Sequence, residues 1–335
     1  MKGKKVIKII LGFIIAVVII ATIMVFVIGV DKTNGDGIFS FGSTNVSGLY
    51  DNSSEYKIGD ADINSNELKY IDINWIRGSV DILPYDGDDV RISEAFVSGE
   101  NSDENIVRYL VKDGRLTIQF TKAQGFFERL FAKPLVKNLT VLIPEDKMDI
   151  NTLNVDTVGA SLKASALTLE TLDIDNVSGN IDISDITAAQ VVVDNVSGKL
   201  AIEQMTSNHV RIDTVSGEIF LADVNTETLK MNTVNGKVNY SGDAKEIDAD
   251  AVSAHMSVTL DNAPEKVDCE SVSGDIIFKI PDNDGFSLDF ETVSGTLASD
   301  FPLKSESKHK SSYGNGGFNY EFETVSGALK VLKAD

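Results

Sequence analysis

LDIDNVSGNIDI (172–183), VVVDNVSGKLAI (191–202) and VRIDTVSGEIFL (210–221) are one phrase written three times at a spacing of nineteen residues. With drift, the phrase recurs along the chain, and its central valines fall at Val158, Val177, Val196, Val215, Val234, Val252, Val272, Val293 and Val325. The steps between them are 19, 19, 19, 19, 18, 20, 21 and 32 residues, too regular for chance. Each copy reads apolar-x-apolar-acid-x-Val-Ser-Gly-x-apolar-x-apolar. Alternation on both sides of the Ser-Gly predicts two short strands, each with one buried face. The glycine supplies a bend that other residues enter only at a cost.

The stretches between copies, such as SDITAAQ (184–190) and EQMTSNH (203–209), are expected to be turns closing each unit. Two short strands cannot bury their faces alone, so neighbouring copies must stack. A propeller blade needs about 40 residues, and nothing separates odd copies from even ones. The spacing therefore predicts an all-β fold, a β-solenoid with one coil per unit and equivalent residues in columns about 4.8 Å apart. Nine such coils would make a rod about 43 Å long. The motif valines are expected to share its continuous apolar interior.

Two core columns follow from the register. Leu172, Val191, Val210, Leu229, Ile247, Val267, Leu288 and Tyr320 form one. Ile174, Val193, Ile212, Met231, Ala249, Cys269, Phe290 and Phe322 form the next, which makes the lone cysteine a small core residue. The column after it is acidic: Asp156, Asp175, Asp194, Asp213, Asn232, Asp250, Glu270, Glu291 and Glu323. These side chains are expected to stack on one outward face. Carboxylates about 4.8 Å apart repel by roughly 0.9 kcal/mol in water. Four or five buried apolar side chains per coil, each worth about 1.5–3 kcal/mol, outweigh that.

Two readings of the acids stay open. Each carboxylate could accept hydrogen bonds from Ser, Thr or backbone N–H groups at the bend of a neighbouring coil. Alternatively Asp156, Asp175, Asp194, Asp213 and Asp250 could form a cation ladder holding calcium between coils or against an anionic wall polymer. The calcium-binding β-roll pattern GGxGxDxUx is absent, which counts against tight sites. No cofactor is otherwise expected.

Ile9 to Val30 is a run of 22 residues without a charge, long enough as a helix to cross a bilayer. It exceeds the apolar core of a secretory signal, and no A-x-A-like cleavage site or lipoprotein cysteine follows it. Lys2, Lys4, Lys5 and Lys8 precede it, so the positive-inside rule puts residues 1–8 in the cytoplasm, 9–30 in the cell membrane and the remainder outside. Residues 31–60, rich in Gly, Ser, Asn and Asp, read as a flexible linker. Beyond Val30 the chain has 26 basic against 51 acidic side chains, a balance of −25 that repels nucleic acid and anionic headgroups. The three histidines are scattered, and one cysteine can build neither an internal disulfide nor a metal cluster.

Residues 61–150 read as an N-terminal β cap and 151–335 as the repeat solenoid. Within the cap, 68–86 resembles a divergent first coil through Ile71, Ile73, Ile76, Gly78, Val80 and Ile82, with Trp75 at its bend. Strand-like runs at 89–97, 106–120 and 137–143 follow. QGFFERLFAKP (124–134) is expected to pack Phe126, Phe127, Leu130 and Phe131 against the cap, or else to meet a partner or the membrane surface. Near the other end, 302–317 carries Lys304, Lys308 and Lys310, a basic hairpin loop on an acidic domain.

IDINWIRGSVDI (71–82), LTVLIP (139–144), the string of VSG units and the Gly-rich segment before FETVSGALKV (322–331) together resemble the bacterial putative-adhesin family with β-strand repeats, which includes the LiaG-like envelope proteins of Firmicutes. The resemblance runs from about Tyr70 to Leu332. It implies a solenoid-like β domain, often behind an N-terminal anchor and sometimes linked to envelope-stress systems, with no catalytic residues to carry over. Asn235 and Ala254 depart from VSG, so the coils there are expected to bend differently.

The functional expectation is an adhesin-like binding or scaffolding module, with a cell-wall polymer or envelope protein as partner and no nucleic acid. The alternatives are a passive spacer and a polysaccharide-active solenoid enzyme. Enzymatic activity is not expected. The one long insertion lacks paired carboxylates, and the repeated Ser of VSG has no positioned His.

Overall fold

A computed structural model describes residues 53–122, 135–145 and 150–334. The expected anchor at 9–30, most of the linker and the 124–134 aromatic cluster lie outside the described residues. Apart from one short 3-10 turn at Ser65–Glu67, the regular structure described is β-strand, joined into one sheet. None of the described helices is long and apolar enough to cross a membrane.

The fold is solenoid-like, and its register is the period of the sequence. Leu162 pairs with Ile181 and Ile181 with Leu200, while Leu172 pairs with Val191 and Val191 with Val210, all in parallel. Both predicted core columns are buried throughout, Cys269 included.

Each coil has three extended runs where two were expected. In one coil they are 172–176, 181–184 and 186–188, with Leu172, Ile174, Ile181, Ile183, Ile186 and Ala188 facing inward. SDITAAQ is thus a strand run and not a turn. Its corner is a column of residues in the left-handed region, Ala166, Asp185, Gln204 and Asp223, at φ 53°, 54°, 55° and 54°. These residue types carry no common turn signal.

The motif valines also differ from expectation. They sit on the outer side of the corner, half-buried along most of the rod and 78% exposed at Val293. The inward position belongs to the residue before each valine. The acid and the valine therefore flank an inward-facing Thr or Asn, in keeping with strict alternation. The serine of VSG closes the corner: Ser178 Oγ donates to the Val158 carbonyl at 2.9 Å and Ser197 Oγ to the Val177 carbonyl at 3.1 Å.

Sequence order and spatial order part at both ends. Phe318–Ser326 pairs in parallel with Lys266–Ser273 on one side and Gly285–Thr292 on the other. Ala328–Lys333 lies likewise between Ile276–Ile280 and Thr296–Ser299. The core column therefore runs Val267, Tyr320, Leu288 in space. The N-terminal coil Tyr70–Tyr85 is sandwiched in the same way. Thr152–Ser178 lies above it, with Arg115–Gln119 and Val136–Pro144 below, all parallel. Trp75, expected at a bend, is buried opposite Thr157 in the inward column. Outside these layers the edges are met by antiparallel strands. Arg108–Lys112 pairs with Arg115–Gln119, Asp89–Ser98 with Val136–Pro144, and Lys310–Gly314 with Gly285–Thr292.

The glycine column sets how closely coils approach. Gly198 has φ +117°, and a Cβ there would lie 2.1 Å from the Gly179 carbonyl oxygen, with Gly217 repeating the contact one coil on. Ala254 stands in this column without a positive φ, so its coil does turn differently. Gly198→Ala is expected to destabilise the protein by about 3 kcal/mol, through backbone strain plus displacement of the adjoining coil. A thermal melt checks it: a melting temperature equal to that of the unaltered chain would show that the corner tolerates a side chain.

Candidate functional site

The residue between acid and valine in each phrase is Thr157, Asn176, Asn195, Thr214, Thr233, Ala251, Ser271, Thr292 or Thr324. Alternation turns these side chains inward, and Asn176 and Asn195 are 0% and 1% exposed. Burial of an amide is tolerable only with its hydrogen bonds made. Thr157 Oγ1 donates to Asn176 Oδ1 at 2.7 Å, and Asn176 Nδ2 donates to Asn195 Oδ1 at 2.7 Å and to the Gly179 carbonyl at 3.1 Å. Stacked amides thus form a polar thread inside the core beneath the acidic column. Sequence reasoning missed it, although the small polar residues that fill that position in every copy but the one with Ala251 were the available signal.

The acids stack in register, Asp175 beside Asp194, Asp194 beside Asp213, Asp250 beside Glu270, and Glu270 and Glu291 both beside Glu323. They lie on the outward side of the coil but are largely covered. Asp156, Asp175 and Asp250 are half-buried, Asp213 is 1% exposed and Glu270 is buried. Close stacking of coils covers what alternation alone would leave in water.

The centre of the column is neutralised from within the chain. The Arg211 guanidinium contacts the Asp213 carboxylate directly and reaches Asp194 Oδ1 at 3.8 Å. Asn232, the one non-acid of the column, donates from Nδ2 to Asp213 Oδ1 at 2.5 Å. Burial pushes the Asp194 carboxyl up to about 7; Arg211 opposes this, and Asp213, Asp175 and Asp173 add to it. Burial, with Glu270 and Asp248 beside it, pushes Asp250 up to about 6. Asp194 and Asp213 do not fit a bridging calcium, because an arginine already occupies the space between their charges. Among the described residues, no three His, Cys, Asp or Glu side chains gather in an arrangement that would hold a metal.

The remaining candidates are structural. His209 Nδ1 meets the Thr228 hydroxyl at 2.6 Å, and His255 Nδ1 accepts from the Asp275 N–H at 3.3 Å, each a contact with the next coil. Burial pushes the Cys269 thiol up, away from reactivity. Sequence reasoning also missed Lys137, fully buried at the centre of the cap. Its ammonium pairs with Glu94 at 2.6 Å, donates to the carbonyls of Asn105 and Phe120, and lies over the rings of Trp75 and Phe120 at 5.0 and 4.6 Å. Trp75 Nε1 donates back to the Lys137 carbonyl at 2.9 Å. Burial lowers the Lys137 pKa against the pull of Glu94. This cluster ties the strand Val136–Pro144 to the first coil.

The sequence profile of the family described as Toastrack DUF4097 matches residues 68–332. Among solved structures, a "putative adhesin" from Bacteroides fragilis NCTC 9343 is similar at 14% identity and a TM-score of 0.44, over 82% of this chain and 97% of that one. A "putative cell adhesion protein" from Clostridium sporogenes ATCC 15579 is 12% identical with a TM-score of 0.22, over 83% and 100%. A "putative lipid binding protein" from Parabacteroides distasonis ATCC 8503 is 14% identical with a TM-score of 0.35, over 84% and 97%. No curated protein matches the chain.

Two outcomes follow from the column. A carboxyl whose folded pKa is raised holds its proton in the native state after the unfolded chain has lost it, so stability falls as pH rises from about 4 towards 7. The melting temperature should drop between pH 5 and pH 8, and Asp194→Asn should flatten that slope; an unchanged slope would place the titration elsewhere. The Thr214 hydroxyl, next in line after Asn195, is buried without a hydrogen-bond partner. Thr214→Asn should extend the amide thread and stabilise by about 1 kcal/mol, read as a shift in the urea midpoint.

Proposed function

We propose that this chain, which belongs to the Toastrack DUF4097 family, is a membrane-anchored, extracytoplasmic β-repeat module that binds or scaffolds in the cell envelope in the manner of an adhesin. The observation that carries the reading is the pairing of an uncharged 22-residue run at 9–30 with a rod of parallel coils in unbroken register. The first is what holds a protein in a bilayer. The second is a stiff extended surface built from neighbour contacts, the shape repeat proteins use to present binding faces.

Charge narrows the partner. The balance of −25 beyond the anchor repels nucleic acid, which leaves a cell-wall polymer or an envelope protein, and a part in an envelope-stress response is consistent with either. The basic hairpin at 304–310 is where an anionic wall polymer would be met. Lys304 and Lys308 are exposed there, and Lys310 lies 3.6 Å from Asp289. Catalysis is not part of the reading: the exposed His209–Thr228 contact links one coil to the next, and the buried carboxylates among the described residues serve the stack. Calcium is not required by it.

The test is retention of the detergent-solubilised full chain on purified wall polymers and on membrane-protein extracts. Retention on an anionic polymer should fall about tenfold in a Lys304→Glu, Lys308→Glu variant, since each reversal removes an attraction of about 1 kcal/mol and adds a repulsion. Retention on neither material would favour a passive spacer over a binding module.

A further inference from the structure

Antiparallel strands cover sheet edges at both ends of the fold, but one edge at the C-terminal end is left bare among the described residues. Thr296–Ser299 belongs to the outermost coil of the C-terminal end and pairs on one side with Ala328–Lys333. Among the described residues no strand pairs with its other side. The neighbouring Gly285–Thr292 of the same coil is covered by Lys310–Gly314, and Lys304–Ser305 pairs with that strand in turn.

The bare strand is short, four residues, but it carries no inward charge, lysine or proline to blunt the edge. From Val293 to Ser299 the sequence is VSGTLAS, without a charge on a chain of net −21. Leu297 is in register with the buried core residue Leu329 yet is 38% exposed, so the strand marks an open end of the apolar interior as well as an open edge. Val293 and Val325, 78% and 42% exposed, lie on the corner beside it.

We propose that this tip is the interface for a second copy of the chain, in which Thr296–Ser299 of two rods pair antiparallel across a two-fold axis centred on Leu297. A lone peptide strand would satisfy the edge but expose its own far edge and leave the core end half covered. A second rod brings an identical core end behind its strand. Register on the axis decides the fit: residue 297 faces 297, and Thr296 faces Ala298. Both leucines then fall on the same side of the shared sheet. Pairing an uncharged segment with itself sets no like charges opposite each other. End-to-end docking also keeps the acidic flanks of the rods beyond a Debye length of about 8 Å over most of their length. Head-to-tail stacking is closed off, because Arg108–Lys112 and Asp89–Ser98 cover the opposite end with antiparallel strands. In the envelope module proposed above, such a contact makes the chain its own ligand, and it deepens that reading.

Cysteine capture on the full chain in detergent tests the contact. In Leu297→Cys the two-fold brings the paired Cα atoms to about 4.5–5.5 Å, within disulfide reach. Mild oxidation should convert most of it to covalent dimer, while Thr206→Cys, exposed in the middle of the rod, should stay monomeric. Mixed Thr296→Cys and Ala298→Cys chains should cross-link to each other faster than either does to itself, which reads the register and serves if Leu297→Cys folds poorly. In sedimentation, Thr296→Lys should weaken the native dimer at least tenfold without moving the melting temperature. Cross-linking at 297 and 296/298 no faster than at 206 would overturn the proposal, as would a dimer indifferent to Thr296→Lys. Either result leaves retention on wall polymer unaffected, so the two readings fail separately.

Discussion

Parallel stacking in register makes each residue a neighbour of its own kind, and the rest of this structure follows from that constraint. A glycine column allows coils to close to backbone contact, because each successive glycine presents only a carbonyl oxygen and no side chain to the next. Apolar columns gain from repetition, since branched side chains of like shape pack on one another. Polar columns gain or lose according to what each group can offer its twin. An amide holds a donor and an acceptor and can bond both upward and downward, as Asn176 does between Thr157 and Asn195. A threonine has one proton to give, and where the column passes to Thr214 and Thr233 the hydroxyls are buried without partners.

Carboxylates are the poorest members of such a stack, because two ionised copies offer only acceptors to each other. The chain relieves them in three ways. Arg211 enters from the adjoining outward column, Asn232 replaces an acid with a donor, and burial raises Asp194 to about 7, so that near neutral pH it carries its proton part of the time. Arg211 and Asn232 are departures from the repeat that fall where ionised copies would otherwise meet. A repeat can be perfect only where its residue pairs with itself. The acids accordingly behave as a partly neutralised seam in the wall of the rod.

The nineteen-residue period, both core columns and the buried cysteine were legible in the sequence, because apolar alternation around a repeated Ser-Gly leaves few alternatives. The third run of each coil was not. It has two inward positions, such as Ile186 and Ala188, and it turns at Ala166, Asp185, Gln204 or Asp223, of which only the aspartates enter a positive φ with any readiness. The stack imposes that conformation. The valines misled for the opposite reason: the most conspicuous residue of the phrase is the one outside the core, and the unremarkable Thr or Asn before it lies within. Lys137 was invisible since nothing local distinguishes a strand lysine whose ammonium ends among Trp75, Phe120 and Glu94.

The ends of the rod expose what a period cannot encode. A repeat specifies that one copy fits on another, but not which copy, and every coil edge is equivalent until the termini break the tie. Here both ends resolve it alike, by threading a coil between two others, so that Tyr70–Tyr85 and Phe318–Lys333 are interior layers while segments from further along or further back in the chain lie outermost. That arrangement pins the outer parts of the domain where fraying would otherwise begin, because neither layer can leave without breaking two ladders. It also transfers the problem of the free edge to internal segments whose sequences can be specialised for it. The N-terminal end uses antiparallel strands and a buried lysine cluster, and the C-terminal end uses a lysine-bearing hairpin over half of its last coil. The uncharged VSGTLAS strand is left, among the described residues, as a place where the rule that builds the rod can still add another layer.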